Sequence, residues 1–271
     1  MKIAFIGGGN MATALIAGLA GQLTGAGSLH VVDPNLEALE RLAATYGVGT
    51  AASIDVQVAD SDVIVLAVKP QQMREVAASL APQLGKQPLL LSIAAGIRIA
   101  DLSRWLGGYT RIVRAMPNTP ALIAMGITGM VAASGIDAAQ REAADQVMRA
   151  VGQTVWLASE SLIDPVTAVS GSGPAYVFYF LEAMQQAARE MGLDEEQGRK
   201  LALATFTGAA QLAAQTGDPV ETLRQRVTSK GGTTHAAISS MEESGVKESI
   251  VAAIKAAAAR GRELGDELGS S

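Results

Sequence analysis

The chain of 271 residues contains no cysteine, which excludes disulfides and thiolate metal sites. Histidine is almost as scarce, with only His30 and His235, so an imidazole-built metal centre is not expected. Aromatic residues make up 4% of the chain, whereas hydrophobic residues, alanine prominent among them, make up 49%. Small side chains in such numbers suit closely packed helices better than a β-sandwich. No apolar run approaches the ~20 residues that span a bilayer. The apolar start Met1–Ile6 is broken at once by Gly7-Gly8-Gly9, too soon for a signal peptide. The net charge is -5 with no basic run, which argues against a nucleic-acid partner. The expectation is a cytoplasmic protein with a small-molecule ligand, no metal and no membrane contact.

Length favours two domains over one. In the first half, short apolar strands at Lys2–Ile6, Leu29–Asp33, Val63–Val68, Pro88–Ile93, Thr110–Met116 and Ile127–Ala132 are expected. Helical patterns at Met11–Leu23, Leu36–Tyr46 and Gln72–Leu84 separate the earlier ones. Continuous Ile/Val/Leu strands between amphipathic helices are what a parallel sheet covered on both faces requires. Val155–Leu157 reads as the last strand. Beyond it, Leu162–Val169, Ala175–Met191, Glu195–Thr216, Val220–Val227, Thr233–Glu243 and Val246–Leu268 all read as helices, with Gly269-Ser270-Ser271 as a frayed tail. The fold class expected is α/β: a doubly wound domain over 1–159 followed by an all-helical domain over 160–271.

Gly7-Gly8-Gly9-Asn10-Met11-Ala12 fits G-x-G-x-x-A between a strand and a helix. Gly7 would permit the tight turn, Gly9 the close pass of a pyrophosphate, and Ala12 the helix–sheet packing. Asp33 ends the second strand, 21 positions after Ala12. A carboxylate there would hydrogen-bond a ribose 2′-OH and repel a 2′-phosphate, favouring NADH; its alternative role is to cap the following helix.

Val68-Lys69-Pro70 follows a strand directly and so lies at the carboxyl edge of the sheet, where ligands bind. Lys69 could contact phosphate, nicotinamide or a carboxylate, or be a plain surface lysine. Ser92-Ile93-Ala94-Ala95-Gly96 and Arg114-Ala115-Met116-Pro117-Asn118-Thr119-Pro120 end two further strands. Asn118 could bond an amide or hold the turn between Pro117 and Pro120. Ser170-Gly171-Ser172-Gly173-Pro174 opens a long helix, its serines candidates to line a pocket.

Val227-Thr228-Ser229-Lys230-Gly231-Gly232-Thr233-Thr234-His235 carries the second site. Adjacent glycines let backbone N–H groups approach a small anion, and the helix that follows presents its free N–H groups and dipole to a carboxylate or phosphate.

Together these motifs, in order and spacing over essentially the whole chain, resemble pyrroline-5-carboxylate reductase. The resemblance implies a Rossmann domain, a helical domain that interleaves with a partner to form a dimer, and in many members a decamer of five dimers. It implies reduction of the C=N bond of 1-pyrroline-5-carboxylate to L-proline by NAD(P)H. Gly7, Gly9, Asn10 and Met11 would hold the pyrophosphate, with Asp33 on the adenosine side. Ala67, Lys69 and Asn118 would lie by the nicotinamide. Ser229, Gly231, Gly232 and Thr233 would hold the substrate carboxylate, and Thr234 would bond the ring nitrogen as the catalytic residue. Two departures stand out: Lys230 replaces a proline common in the family, and Ile54 replaces an asparagine that contacts the ribose. Family habit favours NADPH, whereas Asp33 favours NADH.

A protonated cyclic imine accepts hydride directly, so positioning matters more than a strong acid. A β-hydroxyacid-type dehydrogenase would need a lysine on the interdomain helix, and Ala175–Met191 has none. A non-catalytic nucleotide-sensing module would leave the second anion loop without a purpose.

Overall fold

The computed structural model describes residues 1–22 and 26–270. Leu23, the expected end of the first helix, and Ser271 lie outside them. The apolar runs form strands β1 (Ile3–Ile6), β2 (Leu29–Val32), β3 (Gly49–Ala51), β4 (Val63–Leu66), β5 (Leu89–Ser92), β6 (Ile112–Met116), β7 (Gly126–Ala132) and β8 (Gly152–Trp156). They make one sheet in the order β3-β2-β1-β4-β5-β6-β7-β8. Neighbours are parallel except β6 and β7. Chain order therefore reverses between β1 and β4, which opens a crevice at their carboxyl ends.

Period-two alternation sends one strand to two cores. Ile3 and Phe5 of β1 pack with Leu15 and Leu19 on one face, while Ala4 and Ile6 pack with Met73 and Leu80 on the other. The helices that cover these faces are α1 (Asn10–Gln22), α2 (Leu36–Tyr46), α3 (Val56–Ala59), α4 (Met73–Leu80), α5 (Ile99–Trp105) and α6 (Ala138–Arg149). Three differences from the sequence expectation have local causes. The helix expected over 72–84 is α-helical only to Leu80 and continues as 3-10 turns over Ala81–Lys86, where Pro82 lacks an N–H to donate. Helix α6 carries so many polar residues that its apolar stripe is thin, yet Asp137 and Gln140 start it with a reciprocal capping box. Strand β3 has three residues and no strong β-former but Thr50, so only its pairing with β2 defines it.

The remaining helices are α7 (Ile163–Val166), which runs into a π-helical turn at Thr167–Gly171, then α8 (Gly173–Glu190), α9 (Glu195–Thr216), α10 (Val220–Arg226), α11 (Thr233–Glu243) and α12 (Val246–Gly269). Two compact units result: Met1–Ser172 together with the chain from Ala257 onward, and Gly173–Ala256.

The first unit runs past Ser159 for definite reasons. Buried Arg114 of β6 pairs with Glu160 at 2.8 Å, and the same carboxylate oxygen accepts the Ile99 N–H at 2.8 Å. A Cβ on Gly129 of β7 would lie 2.7 Å from Val166 Cγ1, so α7 sits flush on the sheet. The end of α12 is not frayed either: Arg98 pairs with Asp266 at 2.7 Å, and Arg104 donates to the Gly269 carbonyl at 2.8 Å.

The second unit buries little of its own apolar surface. Leu181, Ala188, Gly198 and Ala202 are its buried helical residues, while Phe178, Tyr179, Leu201 and Leu212 stay exposed. No helix among the described residues is long and apolar enough to cross a membrane.

Candidate dinucleotide and substrate sites

The loop from β1 to α1 is built for close backbone approach. The Gly7 N–H bonds the Val32 carbonyl at 2.8 Å. Its φ is +104°, and a Cβ would lie 2.7 Å from the Ala67 carbonyl oxygen, so only glycine fits against the end of β4. Gly9 faces open space, with nothing within 4 Å of where a Cβ would stand. The first N–H closed into α1 is that of Thr13, onto Gly9 O at 2.9 Å. The amides of Asn10, Met11 and Ala12 are therefore free at the positive end of a 13-residue helix. This arrangement binds a pyrophosphate without any cationic side chain. Of these donors, Ala12 is the one the sequence does not single out, since the fingerprint gives it only a packing role.

Asp33 sits just past β2, and its carboxylate is held by the protein's own backbone. Gly8 N–H donates to Oδ2 at 2.7 Å and Asn35 N–H donates to Oδ1 at 2.8 Å. Asn35, not Asp33, caps α2, its side chain accepting from Ala38 N–H at 3.2 Å. The carboxylate is thus fixed in orientation beside the glycine loop, with no ion pair to a cation among the described residues.

The next strand ends continue the same edge. Ala67 N–H bonds the Ile6 carbonyl at 2.8 Å. Lys69 is exposed and opens the turn Pro70–Gln72 through its backbone alone. Ser92 Oγ, at the end of β5, is buried without a hydrogen-bond partner. Asn118, past the end of β6, is 8% exposed. Its Oδ1 accepts the Ile127 N–H at 2.9 Å and its Nδ2 donates to the Ser170 carbonyl at 3.2 Å. The fold thus collects Gly7, Gly9, Asn10, Met11, Asp33, Ala67, Lys69 and Asn118 along the carboxyl side of the sheet in the first unit.

Ser229, Gly231, Gly232, Thr233 and Thr234 belong to the second unit. Gly232 N–H closes a turn onto Ser229 O at 3.0 Å, with Gly231 at φ +76° inside it. Gly232 then caps α11 through backbone only. The Gly232 amide is therefore engaged within the loop. Ala236 is the first to close the helix, onto Gly232 O at 3.1 Å, so the amides of Thr233, Thr234 and His235 point free. Any helix start leaves such donors, which is the signal that adds the His235 amide to the set. Thr234 is half-buried, whereas the His235 side chain is exposed.

Comparison with known proteins gives two family matches along the chain. Residues 160–264 match the family described as pyrroline-5-carboxylate reductase dimerisation, and residues 2–96 match NADP oxidoreductase coenzyme F420-dependent. The pyrroline-5-carboxylate reductase of Pseudomonas aeruginosa is 46% identical over 99% of this chain and 98% of its own. The solved structure of a pyrroline-5-carboxylate reductase from Coxiella burnetii superposes with a TM-score of 0.92 at 40% identity, covering 97% of this chain and 98% of the other. That of Plasmodium falciparum pyrroline carboxylate reductase with NADP bound gives 0.88 at 28% identity, covering 98% of each. Matched along its whole length in sequence and in fold, the chain belongs to the pyrroline-5-carboxylate reductase family of NAD(P)H-dependent oxidoreductases.

Proposed function

We propose that this cytoplasmic enzyme reduces the C=N bond of 1-pyrroline-5-carboxylate to give L-proline, with its two helix starts as the cofactor and substrate anchors. The observation that carries the site assignment is the pair of helix starts, on α1 and α11, whose first N–H groups are free and which each follow a glycine turn. Gly7 shapes the first loop, and Gly9, Asn10 and Met11 hold the dinucleotide pyrophosphate. Ala67 and Lys69 lie toward its nicotinamide end. The bound cofactor supplies the hydride.

The carboxylate of the substrate is received by the free amides of Thr233 and its neighbours, with Gly231 and Gly232 allowing close approach and Ser229 bracing the turn. Thr234 bonds the ring nitrogen and orients the imine carbon. The chain need not supply a strong acid, because an iminium already accepts hydride. On the adenosine side, the fixed Asp33 carboxylate favours a ribose with a free 2′-OH, and so NADH ahead of NADPH.

The first unit acts as the nucleotide-binding part, and Gly173–Ala256 carries the proposed substrate-binding loop and dimerisation helices. A second copy of the chain is the proposed cover for the exposed apolar side chains of α8 and α9. Sedimentation of the purified protein distinguishes dimer from decamer.

The test is loss of reduced-nicotinamide absorbance with pyrroline-5-carboxylate, NADH and NADPH side by side, with proline identified as product. Cofactor binding without turnover on either would refute the reductase assignment.

A further inference from the structure

Asn118 is expected from the sequence either to touch the nicotinamide or to hold a turn, and its environment points to a third role. Ser170 lies in the π-helical turn Thr167–Gly171, whose wide ring is closed by Ser172 N–H onto Thr167 O at 2.8 Å. In an ordinary helix the Ser170 carbonyl would accept from the residue four places on. That residue is Pro174, which has no N–H. The Asn118 amide supplies the missing donor from the end of β6, at 3.2 Å. The turn is also seated on that strand end, since a Cβ on Gly171 would lie 2.7 Å from Met116 Cε.

We infer that Asn118 is a positioning residue for the hydride transfer: it fixes the turn Ser170–Ser172 at the ligand edge of the sheet by capping the carbonyl that Pro174 leaves open. Its amide is engaged on both sides by backbone, so it acts through this turn rather than by contact with a ligand. The turn is bonded to Asn118 just past the end of β6, and that strand end lies on the same carboxyl edge as those of β4 and β5. π-turns inside helices recur at functional sites because the extra residue re-aims the backbone. The inference rests on the reductase reading for its kinetic consequence, but its structural half stands apart from it.

The experiment is a double-mutant cycle on the full-length enzyme with Asn118→Ala and Pro174→Ala. Asn118→Ala removes both amide bonds and lowers kcat about tenfold, as loss of one aligning hydrogen bond does. In the double variant, Pro174→Ala restores a backbone N–H to meet Ser170 O. Turnover then recovers, while the thermal midpoint stays low because the bond to Ile127 is still missing. A merely structural role gives the opposite pattern, with kcat losses that multiply. Should Pro174→Ala itself prevent folding, Asn118→Asp decides the matter. It keeps an acceptor for Ile127 N–H but has no donor for Ser170 O, so kcat should fall as in Asn118→Ala; wild-type kcat would overturn the inference. Hydrogen exchange of the amides of 167–172 needs no substrate. Faster exchange in Asn118→Asp supports the capping role and unchanged exchange refutes it, even if the wild type turns over no imine.

Discussion

Replacing Glu160 by alanine removes the carboxylate that pairs with the buried guanidinium of Arg114 in the sheet. The Arg114 side chain is 6% exposed and Glu160 is 30% exposed. One oxygen, Oε1, serves both Arg114 Nη1 and Ile99 N–H, each at 2.8 Å. Breaking a buried pair from one side costs about 3–5 kcal/mol, because the remaining charge is left unpaired. The freed N–H at the start of α5 adds about 1 kcal/mol. Water entering where Glu160 stood offsets part of this, which leaves a net loss of about 3 kcal/mol. Glu160→Gln keeps a neutral acceptor and should cost about 1–2 kcal/mol. Urea unfolding at fixed protein concentration reads the change as a lower midpoint with unchanged slope. In thermal melts it corresponds to about 6–12 °C. A loss below about 1 kcal/mol for Glu160→Ala would show that Arg114 finds another partner.

Three further outcomes are expected. Asp33→Ser removes a charge that repels a 2′-phosphate. After solvent screening this is about 1–2 kcal/mol, so the ratio of kcat/KM for NADPH over NADH rises about five- to thirtyfold, and an unchanged ratio would remove Asp33 from cofactor choice. Thr234→Ala lowers turnover by about one to two orders of magnitude with the fold intact; wild-type kinetics would take Thr234 out of the mechanism. Lys230 precedes Gly231, at φ +76°, in the four-residue turn closed by Gly232 N–H onto Ser229 O, the place where a type II turn favours proline. Lys230→Pro should stiffen the loop by about 0.4–1 kcal/mol and lower the KM for pyrroline-5-carboxylate about two- to fivefold. A raised KM would mean that the turn needs the freedom Lys230 allows.

The order of apolar strands, the glycine fingerprint and the helix starts were legible in the sequence because they depend on neighbours along the chain. Continuous apolar runs placed β1, β4 and β5, and the glycine pair with its hydroxyl run placed the start of α11, since a helix always begins with unpaired amides. Strand β3, the π-turn and the polar helix α6 were not legible, because short or polar segments take their structure from what they pack against. The same limit applies to side-chain roles. The types Asp33 and Asn118 suggested ligand contacts. Only the folded chain shows that Asp33 is held by Gly8 and Asn35, and that Asn118 joins Ile127 to Ser170. Local composition determined which backbone groups would be unpaired; tertiary structure decided which of them the protein satisfies itself, since a buried polar group must bond to whatever the fold brings within reach.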